Sequence, residues 1–124
     1  MKQVIATTAA PGAIGPYSQA IDTGTFVYAS GQIPINPATG EIPQGITAQT
    51  EQSLANVKAI MEAAGLTMAN VVKTTVFLAD MADFGAMYEV YARAFEAPYP
   101  ARSAVAVREL PKGVMVEIEV LAMR

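Results

Sequence analysis

The sequence predicts an α+β domain: one six-stranded mixed sheet with two helices packed on one face. Its length of 124 residues suits a single domain and leaves little room for a second. Strand and helix patterns follow one another in the order β-β-β-α-β-α-β-β, with no linker, repeat or low-complexity tract between them. Hydrophobic residues make up 52% of the chain, which is enough for a sizeable core. We therefore predict one domain over residues 1–124.

Three short strands are predicted in the N-terminal third of the chain. Residues 2–7 alternate in polarity, strand signals return at residues 18–22, and residues 26–30 (FVYAS) carry a strong strand pattern. Residues 10–18 contain two glycines and two prolines, which is typical of a stiff, irregular loop. Residues 31–45 form a second long loop that is rich in turn residues.

Two amphipathic helices are predicted to cover one face of the sheet. The first spans residues 47–64, where Thr47 can cap the N-terminus and Gly65 stops the helix. The second spans about residues 82–95 and carries an aromatic stripe. The stripe residues, which we assign to the core, are Leu54, Val57, Met61 and Ala64 of the first helix and Phe84, Met87, Tyr88, Tyr91 and Phe95 of the second.

The remaining strands leave one face of the sheet without a cover. They are predicted at residues 71–79, 101–108 and 114–123, and the last of them alternates between two faces. Two helices cover only one face of such a sheet, so the other face meets either water or another subunit. That face is too apolar for open water, which predicts a subunit interface holding a polar site. Its positions on the last strand are Met115, Glu117, Glu119, Leu121 and Met123.

The composition excludes several classes of function. The chain has no cysteine and no histidine, which excludes disulfides, thiolate nucleophiles, Ser-His triads and the usual zinc ligands. A net charge of −3 argues against nucleic acid as the main partner, because binding to the phosphate backbone depends on Lys and Arg. The N-terminus has no long apolar segment and no stretch approaches a membrane span, so we expect a soluble cytoplasmic protein without a membrane partner.

Arg102 and Glu117 are the leading candidates for chemistry. Arg102 begins a segment that otherwise favours burial, and its guanidinium cannot lose its proton. A part-buried arginine requires an anion, which is either an acidic side chain across a subunit interface or a bound carboxylate. Glu117 stands between Val116 and Ile118, where apolar neighbours raise a carboxyl pKa and suit it to act as a base. Pairing with an arginine also explains Glu117, and Glu119 on the same strand face is a rival for either role.

A second candidate region combines a loop tyrosine with the end of a strand. Tyr17 follows Gly15 and Pro16, a rigid pair that aims the phenol either into a cleft or onto the core. Ser30 and Gly31 are predicted to end a strand, where glycine permits the close approach of a ligand or another backbone. A plain transition from strand to loop also explains these two residues.

Five blocks of the sequence together resemble one known family. The segment PARSAVAVRELPKGVMVEIEV resembles the C-terminal signature of the Rid (reactive intermediate deaminase) family, also called the YjgF family. The segments AIGPYSQA, ASGQIP, NVKAIMEAAG and VVKTTVFLADM resemble successive blocks of that family in the same order. The resemblance covers nearly the whole chain, and several blocks at matching spacing are far more specific than any single motif.

The resemblance implies both an assembly and a reaction. The assembly is a homotrimer of chorismate-mutase-like fold with three clefts between subunits, whose last strand inserts elsewhere in the sheet. The reaction is hydrolysis of reactive enamines and imines, formed when dehydratases act on serine or threonine, to 2-keto acids and ammonia without metal or cofactor. By position, Arg102 matches the residue that binds the substrate carboxylate, and Glu117 matches the residue beside the attacking water. Tyr17, taken as a catalytic residue, matches a cleft-lining position, as do Ser30 and Gly31.

Two positions depart from the pattern of the family. Ala104 stands where members often carry cysteine, and it can substitute only if that residue contributes its backbone carbonyl. Tyr88 stands where many members carry asparagine, and its phenol either narrows the cleft or supplies a hydroxyl. Both residues are predicted to contact the substrate.

Other functions compete with hydrolysis. The alternative is a non-catalytic protein that binds small 2-keto acids as a sensor or scaffold. It also needs Arg102 as a carboxylate clamp, so only turnover separates it from an enzyme. Nuclease or translation-inhibitor activity, known for some relatives, is disfavoured by a pI of about 4.8 and the missing histidines. A charged fraction of 15% permits a chaperone role, but no specific feature supports it.

Overall fold

A computed structural model describes all residues of the chain, 1–124, and confirms the α+β architecture. Six strands form one sheet and two helices pack on one of its faces. Three short 3-10 helices lie in the connections. No helix combines the length and the apolar character needed to cross a bilayer. The elements are β1 (Gln3–Ile5), β2 (Ala20–Asp22), β3 (Phe26–Gln32), α1 (Ile46–Ala63), β4 (Val71–Leu78), α2 (Phe84–Ala94), β5 (Ala101–Ala106) and β6 (Val116–Met123).

The order of strands across the sheet is β1-β2-β3-β6-β4-β5. All neighbouring pairs are antiparallel except β4 and β5, which run parallel. The last strand therefore lies between β3 and β4 instead of pairing with the strand before it. This insertion confirms what the family resemblance implied. It also leaves β5, which carries Arg102, at the edge of the sheet.

The core lies between the helices and one face of the sheet. Alternate residues of β6 are buried, and they pack with α1 residues such as Val57, Ile60 and Met61. The predicted alternation of this strand is confirmed, because Val116, Ile118, Val120 and Ala122 are all 5% exposed or less. The opposite face retains exposed apolar side chains, among them Tyr28, Val105 and Met123.

The predicted start of α1 and the assignment of Tyr88 to the core are both wrong. The helix begins at Ile46 after Gly45, which has a φ of +88° and no side chain to form a cap, so Thr47 is not the N-cap. The predicted stop is confirmed: Gly65 has a φ of +76°, and its N–H donates to the carbonyl of Glu62. Tyr88 is 49% exposed and does not belong to the core.

Candidate active site

Arg102 lies on the helix side of the edge strand β5, above a group of aromatic rings. In the parallel register its partner on β4 is Thr74, which is buried against the helices. Paired residues of adjacent strands point to the same face, so the arginine side chain also lies toward α2. Its Cζ atom is 5.2 Å from the ring centroid of Phe84, 5.6 Å from that of Tyr88 and 5.5 Å from that of Tyr91. The guanidinium is thus held by cation–π contacts.

No acidic side chain of the same chain neutralises Arg102. The one ion pair of the structure joins Asp22 to Arg124, and every hydrogen bond from an arginine side chain also comes from Arg124. Within one subunit, Arg102 is exposed and not part-buried as predicted, because β5 is an edge strand. Its planar set of donors is therefore free to grip a carboxylate.

Tyr88 and Ala104, both predicted to contact the substrate, lie beside the arginine. The Tyr88 ring stacks on that of Phe84, with centroids 6.0 Å apart and planes inclined by 17°. Ala104 lies two residues beyond Arg102 on the same face of β5 and packs against the core. The arginine half of the candidate site consists of Arg102, Tyr88 and Ala104.

Gly31 leaves room for the carboxylate of Glu117 beside the backbone of β3. A Cβ atom at this position would lie 2.5 Å from Oε2 of Glu117 and 2.9 Å from its Cδ, so any other residue displaces that carboxylate. The strand does not end here as predicted but continues to Gln32, with a register shift between Ala29 and Gln32. Such a bulge redirects side chains, and it is a frequent feature beside functional sites.

Ser30 anchors the loop that carries Tyr17. Its hydroxyl donates to the carbonyl of Ser18 at 2.6 Å, and its N–H donates to the carbonyl of Gln19 at 2.9 Å. Tyr17, next to Ser18, is 54% exposed, so it does not pack on the core of its own subunit. Ser30 thus places the tyrosine beside the bulged end of β3.

Glu117 is a half-buried carboxylate without a cationic partner. Burial raises its pKa above the usual value, and the negative charge of Glu119 raises it further. The predicted direction of this shift is confirmed, and pairing with an arginine of the same chain is not observed. Glu119 lies one pleat farther along β6, opposite Thr75, and is exposed. Glu117, Gly31, Ser30 and Tyr17 together are called the glutamate half below.

The two halves lie on opposite faces of the sheet. Arg102 shares the helix face with Thr74, whereas Glu117 pairs with Phe77 and shares the open face with it. A single chain therefore does not bring the two leading candidates together. A cavity of about 600 Å³ between α1 and α2 contains no residue of either half. No group of three or more acidic side chains is close enough to hold a metal ion.

Comparison with known proteins places the chain in a family. A family model described as "Endoribonuclease L-PSP" matches residues 7–124. The chain belongs to this family. It is the YjgF or Rid family that the five sequence blocks resembled, so that prediction is confirmed.

Individual Rid relatives match over their full length. A RutC family protein of Haemophilus influenzae is 57% identical, and the match covers 100% of this chain and 98% of that protein. The 2-iminobutanoate/2-iminopropanoate deaminase of Escherichia coli is 54% identical, with 100% and 99% covered. The crystal structure of E. coli TdcF with bound serine is 51% identical, covers 98% of both chains and superposes with a TM-score of 0.96.

Sequence reasoning missed two residues that contact Arg102. Phe84 and Tyr91 were assigned to the core stripe of the second helix, yet both rings lie next to the guanidinium of this Rid protein. The available signal was the spacing of three aromatic residues at 84, 88 and 91, which places them on one face of a helix. The pattern alone does not tell whether that face meets the core or a cation.

Proposed function

We propose that this chain hydrolyses 2-iminobutanoate and 2-iminopropanoate, together with the enamine 2-aminoacrylate, to 2-keto acids and ammonia. The observation that carries the proposal is the Arg102 guanidinium, which is fixed by aromatic rings and has no acidic partner in its chain. A small imino acid offers the one feature that such a group requires, a permanent carboxylate. The name of the E. coli relative, at 54% identity, supports this substrate class.

In the proposed reaction Arg102 holds the carboxylate and directs the C=N carbon toward a water molecule. The imine reacts as its protonated iminium form: the water oxygen forms a bond to that carbon, the C=N π electron pair moves to nitrogen, and Glu117 accepts one water proton, which gives a neutral carbinolamine. The same carboxyl then returns this proton to nitrogen and the C–N bond breaks. Ammonia leaves as the hydroxyl releases its proton to the Glu117 carboxylate and the carbonyl forms. A raised pKa suits Glu117 to both steps, because a carboxylate of higher pKa is a stronger proton acceptor than an ordinary glutamate. Tyr17 faces the same cleft and contacts the reacting groups.

The separation of the two halves supports an active site shared between subunits. Arg102 and Glu117 of one chain lie on opposite faces of the sheet, so a cleft that uses both needs two chains. The exposed apolar side chains of the open face favour burial by another subunit. We therefore propose a homotrimer with three shared clefts, for which light scattering should return three times 13.0 kDa. A monomer that hydrolyses imines would overturn the shared cleft.

Turnover separates an enzyme from a non-catalytic binder of 2-keto acids. A dehydratase acting on threonine or serine generates the imine in the cuvette, and semicarbazide traps what is not hydrolysed. The enzyme should suppress trapping in proportion to its concentration, whereas a sensor or scaffold should bind 2-ketobutyrate without changing the trapping rate. RNA cleavage is not proposed, since a net charge of −3 and the lack of histidine give it no support.

Mixed trimers test the shared cleft directly. Arg102→Ala and Glu117→Gln chains, each inactive alone, are unfolded together in equal amounts and refolded. If each cleft takes Arg102 from one subunit and Glu117 from the next, every mixed trimer contains one intact cleft. Three quarters of random trimers are mixed, so about one quarter of the wild-type activity should return, as the cyclic symmetry requires. If trimers shown to contain both variants recover no activity, Arg102 and Glu117 of each cleft come from the same subunit.

A further inference from the structure

The aromatic rings around Arg102 form one stripe along α2. Phe84, Tyr88 and Tyr91 occupy positions i, i+4 and i+7, which project from one face of a helix. All three centroids lie between 5.2 and 5.6 Å from Cζ of Arg102. A guanidinium is flat and weakly hydrated, so ring faces attract it and restrict its rotation.

One of the three rings is much more firmly held than the others. Tyr91 is 5% exposed, and its hydroxyl shares a buried hydrogen bond of 2.7 Å with Oγ1 of Thr74. Its ring also packs on Phe95, with centroids 4.7 Å apart. Tyr88, in contrast, is half exposed, and its hydroxyl has no partner in the chain. Tyr91 is therefore the fixed element of the stripe.

Thr74 connects this ring to the strand that positions the arginine. It is completely buried on β4 and lies directly opposite Arg102 in the parallel register. The backbone next to Arg102 and the ring beneath its guanidinium are thus tied to the same residue. Burial raises the pKa of the Tyr91 phenol, so the hydroxyl stays protonated and the contact with Thr74 persists at any ordinary pH.

We propose that Tyr91, fixed by Thr74, is a positioning residue for Arg102 and sets the direction in which the guanidinium presents its donors to a carboxylate. The inference rests on the proposed function for its substrate, but the orientation of Arg102 is measurable without any substrate. Phe84 and Tyr88 complete the enclosure, and only Tyr91 is tied to the sheet.

The first experiment measures the mobility of Arg102 by NMR relaxation of its Nε–Hε group. We expect an order parameter near that of rigid backbone, about 0.85, in the wild type and below about 0.6 in Tyr91→Phe and Thr74→Val. Thr50→Val is the matched control, because it removes another fully buried threonine hydrogen bond, of 2.7 Å, on α1. Equal mobility of Arg102, Arg93 and Arg108 in the wild type, or unchanged mobility in both variants, would overturn the proposal.

The second experiment asks whether Tyr91 acts through Arg102. Calorimetry should show that Tyr91→Phe weakens the binding of 2-ketobutyrate roughly three- to tenfold, the usual effect of one hydrogen bond. The binding of 2-ketobutyramide, which lacks the carboxylate, should not change. In an Arg102→Lys background, Tyr91→Phe should add no further loss, whereas a purely structural role gives the same loss in both backgrounds. If wild-type protein neither binds the keto acid nor hydrolyses imines, the proposed function fails, and the NMR result alone decides the positioning role.

Discussion

Arg102 and Glu117 are both ionisable groups without an ion-pair partner, but their surroundings act on them in opposite ways. The arginine lies over three ring faces of α2, which stabilise its charge and leave its hydrogen-bond donors free. The glutamate is half-buried against Gly31, and burial together with Glu119 disfavours its charge. One environment retains a cation for binding, and the other favours the transfer of a proton.

The two environments suit the two halves to different steps of the proposed reaction. Stabilising Arg102 without a counter-ion preserves its capacity to bind an anion. Destabilising the Glu117 carboxylate makes it a better proton acceptor at neutral pH than an ordinary glutamate. Binding and chemistry should therefore be separable by mutation.

Replacing Arg102 should weaken binding and abolish turnover. Arg102→Ala should weaken the binding of 2-ketobutyrate by a factor of roughly 10²–10³, the usual result of removing one member of a charge pair. Imine hydrolysis should fall below detection in the semicarbazide assay. Arg102→Lys keeps the charge but loses the planar fork, so it should also be inactive. A folded Arg102→Ala that still hydrolyses imines would show that the clamp is assigned to the wrong residue.

Glu117→Gln should separate the two halves. Turnover should fall by roughly 10²–10⁴, the usual effect of a positioned acid–base group, while calorimetry finds 2-ketobutyrate bound as tightly as before or more tightly. If binding falls as much as turnover, the glutamate half also holds the substrate, and the division between binding and chemistry is wrong.

The same variant also has an expected effect on stability. The pKa of the Glu117 carboxyl is raised in the folded state, so this group contributes stability to the fold at pH values below its unfolded pKa. That contribution is lost as the pH rises through the folded pKa. Above the folded pKa the wild-type carboxylate is charged, and its burial opposes folding. Glu117→Gln should therefore melt at or above the wild-type temperature at pH 7. A clear loss of stability would indicate that Glu117 has a structural partner in the assembly.

Gly31→Ala should damage the glutamate half without changing any ionisable group. The new Cβ would meet Oε2 of Glu117 at 2.5 Å, so the carboxylate must move. A displacement of this size should reduce turnover by roughly tenfold to 10². Gly12→Ala is the matched control, since an added Cβ there meets nothing within 4 Å. Equal activity of the two variants would show that the exact position of Glu117 is unimportant.

Glu119→Gln should have the smallest effect on turnover and a visible effect on its pH dependence. Removing the like charge lowers the pKa of Glu117, so the acidic limb of the kcat profile should move to lower pH. At neutral pH turnover should change by less than about fivefold, as expected for an exposed charge. An unmoved acidic limb would show that Glu117 is not the titrating base. Complete loss of turnover would indicate that Glu119, and not Glu117, is the catalytic base.

Several features of the fold could be predicted because they follow from local patterns. Gly65 stops α1, since a residue with positive φ is needed there and glycine adopts it freely. The two faces of β6 follow from strict alternation. The start of α1 could not be predicted from Thr47, because Gly45 makes the turn without a side-chain cap.

The candidate site residues could likewise be selected from the sequence, whereas their arrangement could not. Motif blocks at matching spacing selected Arg102, Glu117, Tyr17, Ser30 and Gly31, and Glu117 between two apolar neighbours indicated its raised pKa. The bulge in β3 was missed, because a bulge depends on the partner strand as much as on its own residues.

Only the tertiary structure decided which groups meet. The pairing of β5 with β4, and the insertion of β6 between β3 and β4, place Arg102 over the rings of α2 and Glu117 on the other face. An aromatic stripe has the same spacing whether it packs on apolar side chains or under a guanidinium. Spacing alone therefore could not separate the two cases, and the sequence analysis assigned the stripe to the core. Local sequence determines which face of its own element a residue occupies. Long-range strand order determines which other residues share that face.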